Sequence, residues 1–278
     1  MSRTSWAGLP EPVRAAVIAA TGGVTDVEEP GAGSQSDFAA TLCTTAEPVF
    51  CKGIRTTSPR AARHRHEAAI NPHLPAAAGR LLWQVEASDW LVLGFEHVPG
   101  GHADLCPGSP DVDSVAAAVA GLTVPAPAFA PSLAAHWGRL AAWRRLRAHQ
   151  HVPDHLVAWE SRAVDLVDGD SLLHTDIHSL NLLVDTEVRV VDWAWARRGA
   201  SWVDRAFLVP RLIEAGHSPG AAERIAGPLP DPGATTFAVA VWGIWTYLNL
   251  TDPRPHRPAL VTAAETWSEY RLGPRSYD

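Results

Sequence analysis

The segment His174 to Trp195, HTDIHSLNLLVDTEVRVVDWAW, concentrates the side chains of this chain that are best suited to chemistry. Asp176 is an acid that can accept a proton. Asn181 and Asp192 offer an amide and a carboxylate oxygen of the kind that ligates a hard cation. Two short apolar runs, Leu182–Val184 and Val188–Val191, flank the turn-like Asp185-Thr186-Glu187 and predict a strand pair. A hairpin there would bring Asn181, just before its first strand, near Asp192 at the end of its second. Asp176 would sit in the loop feeding in. A proton acceptor combined with an amide and an acid for a divalent cation is the set that phosphoryl transfer requires.

Lys52 is the only lysine in the chain, against 22 arginines. A lysine that survives such a bias is one for which arginine is not equivalent: a compact ammonium can act as a point charge on phosphate oxygens where a planar guanidinium would not fit. It follows the strand-like Pro48-Val49-Phe50-Cys51. The stretch from Pro59 to Asn71 reads as a helix whose only acidic residue is Glu67. Upstream, Gly31-Ala32-Gly33-Ser34-Gln35-Ser36 lies between two strand-like runs, Val24 to Glu29 and Phe38 to Leu42. Backbone amides of such a turn can approach phosphates because glycine has no Cβ to block them. It is not a Walker A loop, since no Gly-Lys-Ser/Thr follows the glycines.

The pattern His174-x-Asp176-x-x-x-x-Asn181, followed by an apolar strand ending in Asp192, resembles the aminoglycoside phosphotransferase and choline kinase-like family, a branch of the protein-kinase fold. The order of Gly-rich turn, lysine strand, glutamate helix and catalytic loop is similar as well. Thr175 replaces the family's usual glycine, and Ser179-Leu180 stand where many members have Pro-Gly. The resemblance implies an α+β, bilobal protein-kinase-like fold: a small β-rich N-lobe with one key helix (1–96), a hinge (97–101) and a larger, mainly helical C-lobe (102–278). It implies ATP or GTP as phosphoryl donor and Mg²⁺ held by Asn181 and Asp192. Lys52 would contact the α- and β-phosphates, fixed by Glu67, while Gly31, Gly33 and Ser34 cover the phosphates. The backbone at Glu96 and Val98 would meet the nucleotide base. Asp176 would be the catalytic base and His174 a support of its loop. Asp204 matches an acidic residue that braces the catalytic loop in this family; as a bare residue it could equally be an N-cap.

Around these parts the chain predicts a helix over Glu11 to Ala20, then strands over Arg80 to Glu86 and Trp90 to Phe95. Pro99-Gly100-Gly101 marks a change to helical spacing. Helices are expected over Asp111 to Gly121, Ser132 to Arg147, Pro153 to Val167, Val203 to Ala215, Gly220 to Ala226, Thr235 to Leu250 and Pro258 to Tyr270.

A formal charge of −7 and a pI near 6.0, with no offsetting basic cluster, argue against nucleic acid as partner. No apolar run approaches a membrane span, and the N-terminus lacks a secretory pattern. Cys43, Cys51 and Cys106 have no metal spacing and read as reduced thiols of a cytoplasmic protein. The expected partner is a small-molecule acceptor with a hydroxyl group, an antibiotic or a metabolite, and the expected state is a monomer or homodimer. From Arg205 onward seven acidic residues balance seven arginines, which gives no support to a polycationic acceptor. Trp242, Trp245, Tyr247, Trp267 and Tyr270 could line an acceptor pocket or simply fill core. Two further readings stand beside this one. The chain could be a pseudokinase, binding nucleotide without turnover; or His174, Asp176 and His178 could form a zinc hydrolase site.

Overall fold

The computed structural model describes residues 3–30 and 36–273. Gly31, Gly33 and Ser34, expected to cover phosphates, therefore lie outside the described residues. The chain forms two compact units: the part up to Gly100 together with Arg189–Trp195, and Gly101–Val188 together with the part from Ala196 onward.

The first unit begins with helix α1 (Glu11–Thr21), stopped by Gly22 at φ 78°, where glycine is free to turn left-handed. An antiparallel sheet follows, built from β1 (Asp26–Glu28), β2 (Phe38–Cys43), β3 (Val49–Arg55), β4 (Leu81–Ala87) and β5 (Trp90–Glu96), in the order β1-β2-β3-β5-β4. Helix α2 (Ala61–Ile70) connects β3 to β4. Ser88 and Asp89, both left-handed, form the tight turn between β4 and β5. Strand β3 runs three residues past Lys52, so the lysine sits mid-strand, opposite Ala39 on one side and Leu93 on the other.

Alternation along β3 decides which side chain faces which helix. Val49 and Cys51 join the core under α1, with Leu9, Val13, Val17, Phe38 and Leu42. Phe50 and Ile54 join the core on the α2 side, with Ala61, Leu91 and Phe95. Lys52 falls in the α2 set. Helix α2 in turn buries Ala61, His64, Glu67 and Ile70, a spacing of three that keeps one face inward. Gly94 is required because a Cβ there would lie 2.2 Å from the Trp83 indole.

The second unit contributes short strand β6 (Gly101–His102), helix α3 (Asp111–Ala120), strand β7 (Val124–Pro125), and helices α4 (Leu133–Leu140), α5 (Ala142–Leu146) and α6 (Asp154–Leu166). Strands β8 (Ser171–Leu173) and β9 (Leu182–Val184) follow, then β10 (Val188–Val190), whose last two residues are counted with the first unit, and β11 (Arg197–Gly199). It closes with α7 (Val203–Glu214), α8 (Pro219–Ala226), α9 (Gly233–Thr251) and α10 (Arg257–Leu272). Strand β8 is central in a sheet ordered β11-β8-β7, and β6 pairs with β9. The two runs predicted to flank Asp185-Thr186-Glu187 are strands, and Asp185 N–H donates to the Glu187 carbonyl across the turn.

Helix α9 is the centre of this unit. Phe237 packs edge-on against Phe207 and Trp202 and lies beside Trp137 and Trp267. Gly243 admits the Trp143 ring, whose Nε1 donates to the Val239 carbonyl at 2.8 Å. The single helix expected over Ser132 to Arg147 is instead two, α4 and α5, separated by Ala141 in a left-handed conformation (φ 41°). The cause is tertiary. The buried carboxylate of Glu160 on α6 accepts the Trp143 N–H with both oxygens at 3.2 Å and caps a new helix start.

Candidate active site

In the first unit, Lys52 is the meeting point of two carboxylates. Its Nζ lies 2.6 Å from Glu67 Oε2 and 2.9 Å from Asp192 Oδ1, with the Phe95 ring 5.3 Å below. The side chains of Lys52 and Glu67 are 9% and 3% exposed, and that of Asp192 is 37% exposed. Burial disfavours the ammonium, but Asp192 and Glu67 outweigh it and raise the Lys52 pKa, so the lysine stays charged. Burial also pushes Glu67 up, to about 7, against the pull of Lys52.

Of the two carboxylates that share this ammonium, Asp192 is the more exposed, and its backbone is left-handed (φ 63°), a conformation that Asp tolerates. His64 lies one turn before Glu67 on α2, where its Nε2 is 3.0 Å from Ser36 Oγ. Burial, then the charge of Lys52, lower its pKa to about 4, so it is neutral. Arg63 stacks on Trp195, 3.9 Å from the ring centroid. Glu96 pairs with Arg189, and Val98 is buried; the Glu96 N–H donates to the Arg80 carbonyl.

In the second unit, the loop after β8 carries the acid–base candidates. Asp204, in the first turn of α7, accepts the N–H groups of His174 (2.7 Å) and Thr175 (2.9 Å). Asp204 is therefore a brace of this loop. His174 is fully buried, and its Nδ1 accepts the Asp176 N–H at 3.2 Å, a supporting role. Thr175 has φ 63°, the left-handed conformation in which glycine would be at ease. A β-branched residue there costs about 1–2 kcal/mol, which the two Asp204 bonds help to offset.

The Asp176 side chain is 35% exposed, with His178 Nε2 3.7 Å away. Burial alone would raise its pKa; His178, His174 and Arg211 outweigh burial and hold it below the usual carboxylate range. Asn181 donates from Nδ2 to the Asp176 carbonyl at 3.0 Å, so its Oδ1 is the atom that could ligate a cation. An amide oxygen and a carboxylate are hard donors and fit Mg²⁺. The zinc arrangement does not form: His174 turns a ring nitrogen to backbone, and no three His, Cys, Asp or Glu side chains among the described residues are grouped to hold a metal ion.

Sequence reasoning missed Arg211, whose Nε donates to the Ile177 carbonyl at 3.1 Å. Its spacing of seven from Asp204 was the available signal, since the two share a helix face. Of the five aromatics weighed for an acceptor pocket, Trp245 lies against this cluster, 5.4 Å from the Arg211 guanidinium. Trp242 packs on Trp143, Tyr247 packs in the same core cluster, and Trp267 is fully buried with its Nε1 on Glu223. Tyr270 lies with its hydroxyl near Gly220.

Two units, one built on a lysine-bearing antiparallel sheet with a glutamate helix and the other mainly helical, define a protein-kinase-like fold. Solved structures with this fold include aminoglycoside phosphotransferase APH(4)-Ia (15% identity, 91% of this chain and 98% of that one, TM-score 0.60). A thermostable variant of that enzyme with AMP-PNP and hygromycin B matches similarly (16% identity, 91% and 98%, TM-score 0.61). The choline kinase LicA from Streptococcus pneumoniae also matches (11% identity, 92% and 98%, TM-score 0.61). At these identities the likeness establishes the fold. No protein-family model matches the chain, and no curated protein matches it by sequence. Among the described residues no helix is long and apolar enough to cross a membrane.

Proposed function

We propose that this protein is an ATP- or GTP-dependent phosphotransferase that moves the γ-phosphoryl group to a hydroxyl of a small molecule. The observation that carries the reading is the Lys52–Glu67–Asp192 cluster, which unites the lone lysine with the helix glutamate and the metal-loop acid. Lys52 binds the α- and β-phosphates and Glu67 holds it there. Asn181 and Asp192 are the Mg²⁺ ligands; the bound cation neutralises charge on the phosphate oxygens. Gly31, Gly33 and Ser34 offer backbone N–H groups to the phosphates. The backbone at Glu96 and Val98, beside a hinge over 97–101, offers hydrogen bonds to the nucleotide base.

Asp176 orients the acceptor hydroxyl and takes its proton. Its depressed pKa keeps it ionised at neutral pH, as a base must be. The similar structures bind hygromycin B or, by name, act on choline. Here the acidic and basic residues after Asp204 balance, which favours a neutral or singly charged acceptor over a polyamine.

The test is thermal stability with and without Mg·ATP, with Asp192→Ala as control. Ligand at about 100 times its Kd should add about 2.7 kcal/mol, a shift of several degrees. A magnesium-dependent shift that the control loses supports the reading. No shift with ATP or GTP would sink it.

A further inference from the structure

We propose that Arg211 is a positioning residue for phosphoryl transfer, the second of two anchors by which α7 holds the loop His174 to Ile177; this rests on the reading of Asp176 as the base. Asp204 and Arg211 stand seven residues apart on α7, close to two full turns, and so share one face. Their chemistry is complementary. The Asp204 carboxylate takes the two N–H groups at the start of the loop, His174 at 2.7 Å and Thr175 at 2.9 Å. The Arg211 guanidinium gives its Nε–H to the carbonyl at the far end, Ile177, at 3.1 Å. Asp176 lies between the two grips. Its own N–H goes to His174 Nδ1 and its carbonyl accepts from Asn181.

Arg211 is itself held. Nη1 reaches Glu214 one turn on, at 3.4 Å, and the guanidinium lies over Trp245. Its side chain is mostly buried, so its bond to Ile177 competes little with water. The planar fork places Nε on Ile177 and Nη1 on Glu214 from two separate atoms; a lysine would have to bring its single nitrogen within reach of both. The demand for a second anchor comes from Thr175. A left-handed, β-branched residue beside the base tends to relax toward ordinary backbone, and a loop pinned at its start alone could turn Asp176 away as it did so.

The experiment compares Arg211→Met, Arg211→Lys and Arg211→Ala with Asp176→Asn in the full chain. Amide hydrogen exchange over residues 174–181 reads the loop directly and needs no acceptor. Mg·ATP hydrolysis, or transfer to an acceptor once one is found, reads the chemistry. Arg211→Met should speed exchange in the loop and lower kcat, on the order of 100-fold for a base misplaced by about 1 Å, with affinity for Mg·ATP unchanged. Arg211→Lys should recover only part of the loss, and millimolar guanidinium should restore part of the activity of Arg211→Ala. Unchanged loop exchange and kcat in a folded Arg211→Met, with Asp176→Asn inactive, would overturn the inference alone. An active Asp176→Asn would instead overturn the base assignment beneath it. Should Arg211→Met not fold, Arg211→Lys decides: wild-type exchange and kcat there would overturn the need for the fork.

Discussion

Lys52 is held by contacts that leave little freedom in shape. Two carboxylates lie within 2.9 Å of one nitrogen in an almost fully enclosed setting. A guanidinium would bring the same charge in a longer, planar form whose donors point elsewhere. Lys52→Arg should therefore keep the fold and lose activity, by about tenfold or more, a loss of at least about 1.4 kcal/mol in transition-state stabilisation. Full activity in that variant would remove the case for a special lysine. His64, on the same helix face, gives a pH prediction. Its folded-state pKa is depressed to about 4 from 6.5, so the unfolded chain binds a proton that the folded one refuses. Its contribution is present above pH 6.5 and is lost as pH falls toward 4, about 3 kcal/mol in all. Urea midpoints across that range should show a shallower acid decline for His64→Gln than for the parent; parallel declines would rule His64 out. His136, depressed likewise by burial and by Arg197 and Arg139, remains in both proteins as an internal reference.

At the scale of elements, α7 does the most for the site. Its first turn supplies Asp204, and the rest of its length packs Phe207 and Leu212 into the unit's core. Asp204→Ala would strand two backbone donors, one of them on the fully buried His174, and should cost about 2–3 kcal/mol. Asp204→Asn keeps one acceptor and should cost less. The measurement is a pair of thermal melts beside kcat. Equal stability of Asp204→Ala and the parent would show that water satisfies those amides. The split of α4 from α5 belongs to the same scale: Glu160 dictates a helix start that local propensity would have run through.

For the whole molecule, charge bears on which acceptor the proposed transfer would favour. The net charge is −7, yet the region after Asp204 is balanced, and Asp176 has Arg211 and His178 for neighbours. Turnover of a neutral hydroxyl acceptor should depend little on ionic strength, and polycationic aminoglycosides should show no advantage in kcat/KM. A steep loss of activity toward aminoglycosides with added salt would overturn this expectation.

The order of the parts and most elements could be read from residues a few positions apart. Period-two alternation in β3 and a spacing of three in α2 place Lys52 and Glu67 on facing surfaces, because side-chain direction follows from backbone geometry alone. The residues from His174 to Asp192 likewise stood out as candidates through their types. What could not be read were partners distant in the chain. Lys52 meets Asp192 across 140 positions, and Arg211 reaches Ile177 across 34. The left-handed backbone of Thr175, gripped by Asp204, and the helix break at Ala141, above Glu160, were likewise not announced by their own residue types. Local periodicity is settled by sterics within a turn or a pleat. Burial, hydrogen-bond partners and shifted pKa values depend on which remote segments exclude water together, and only the folded chain decides that.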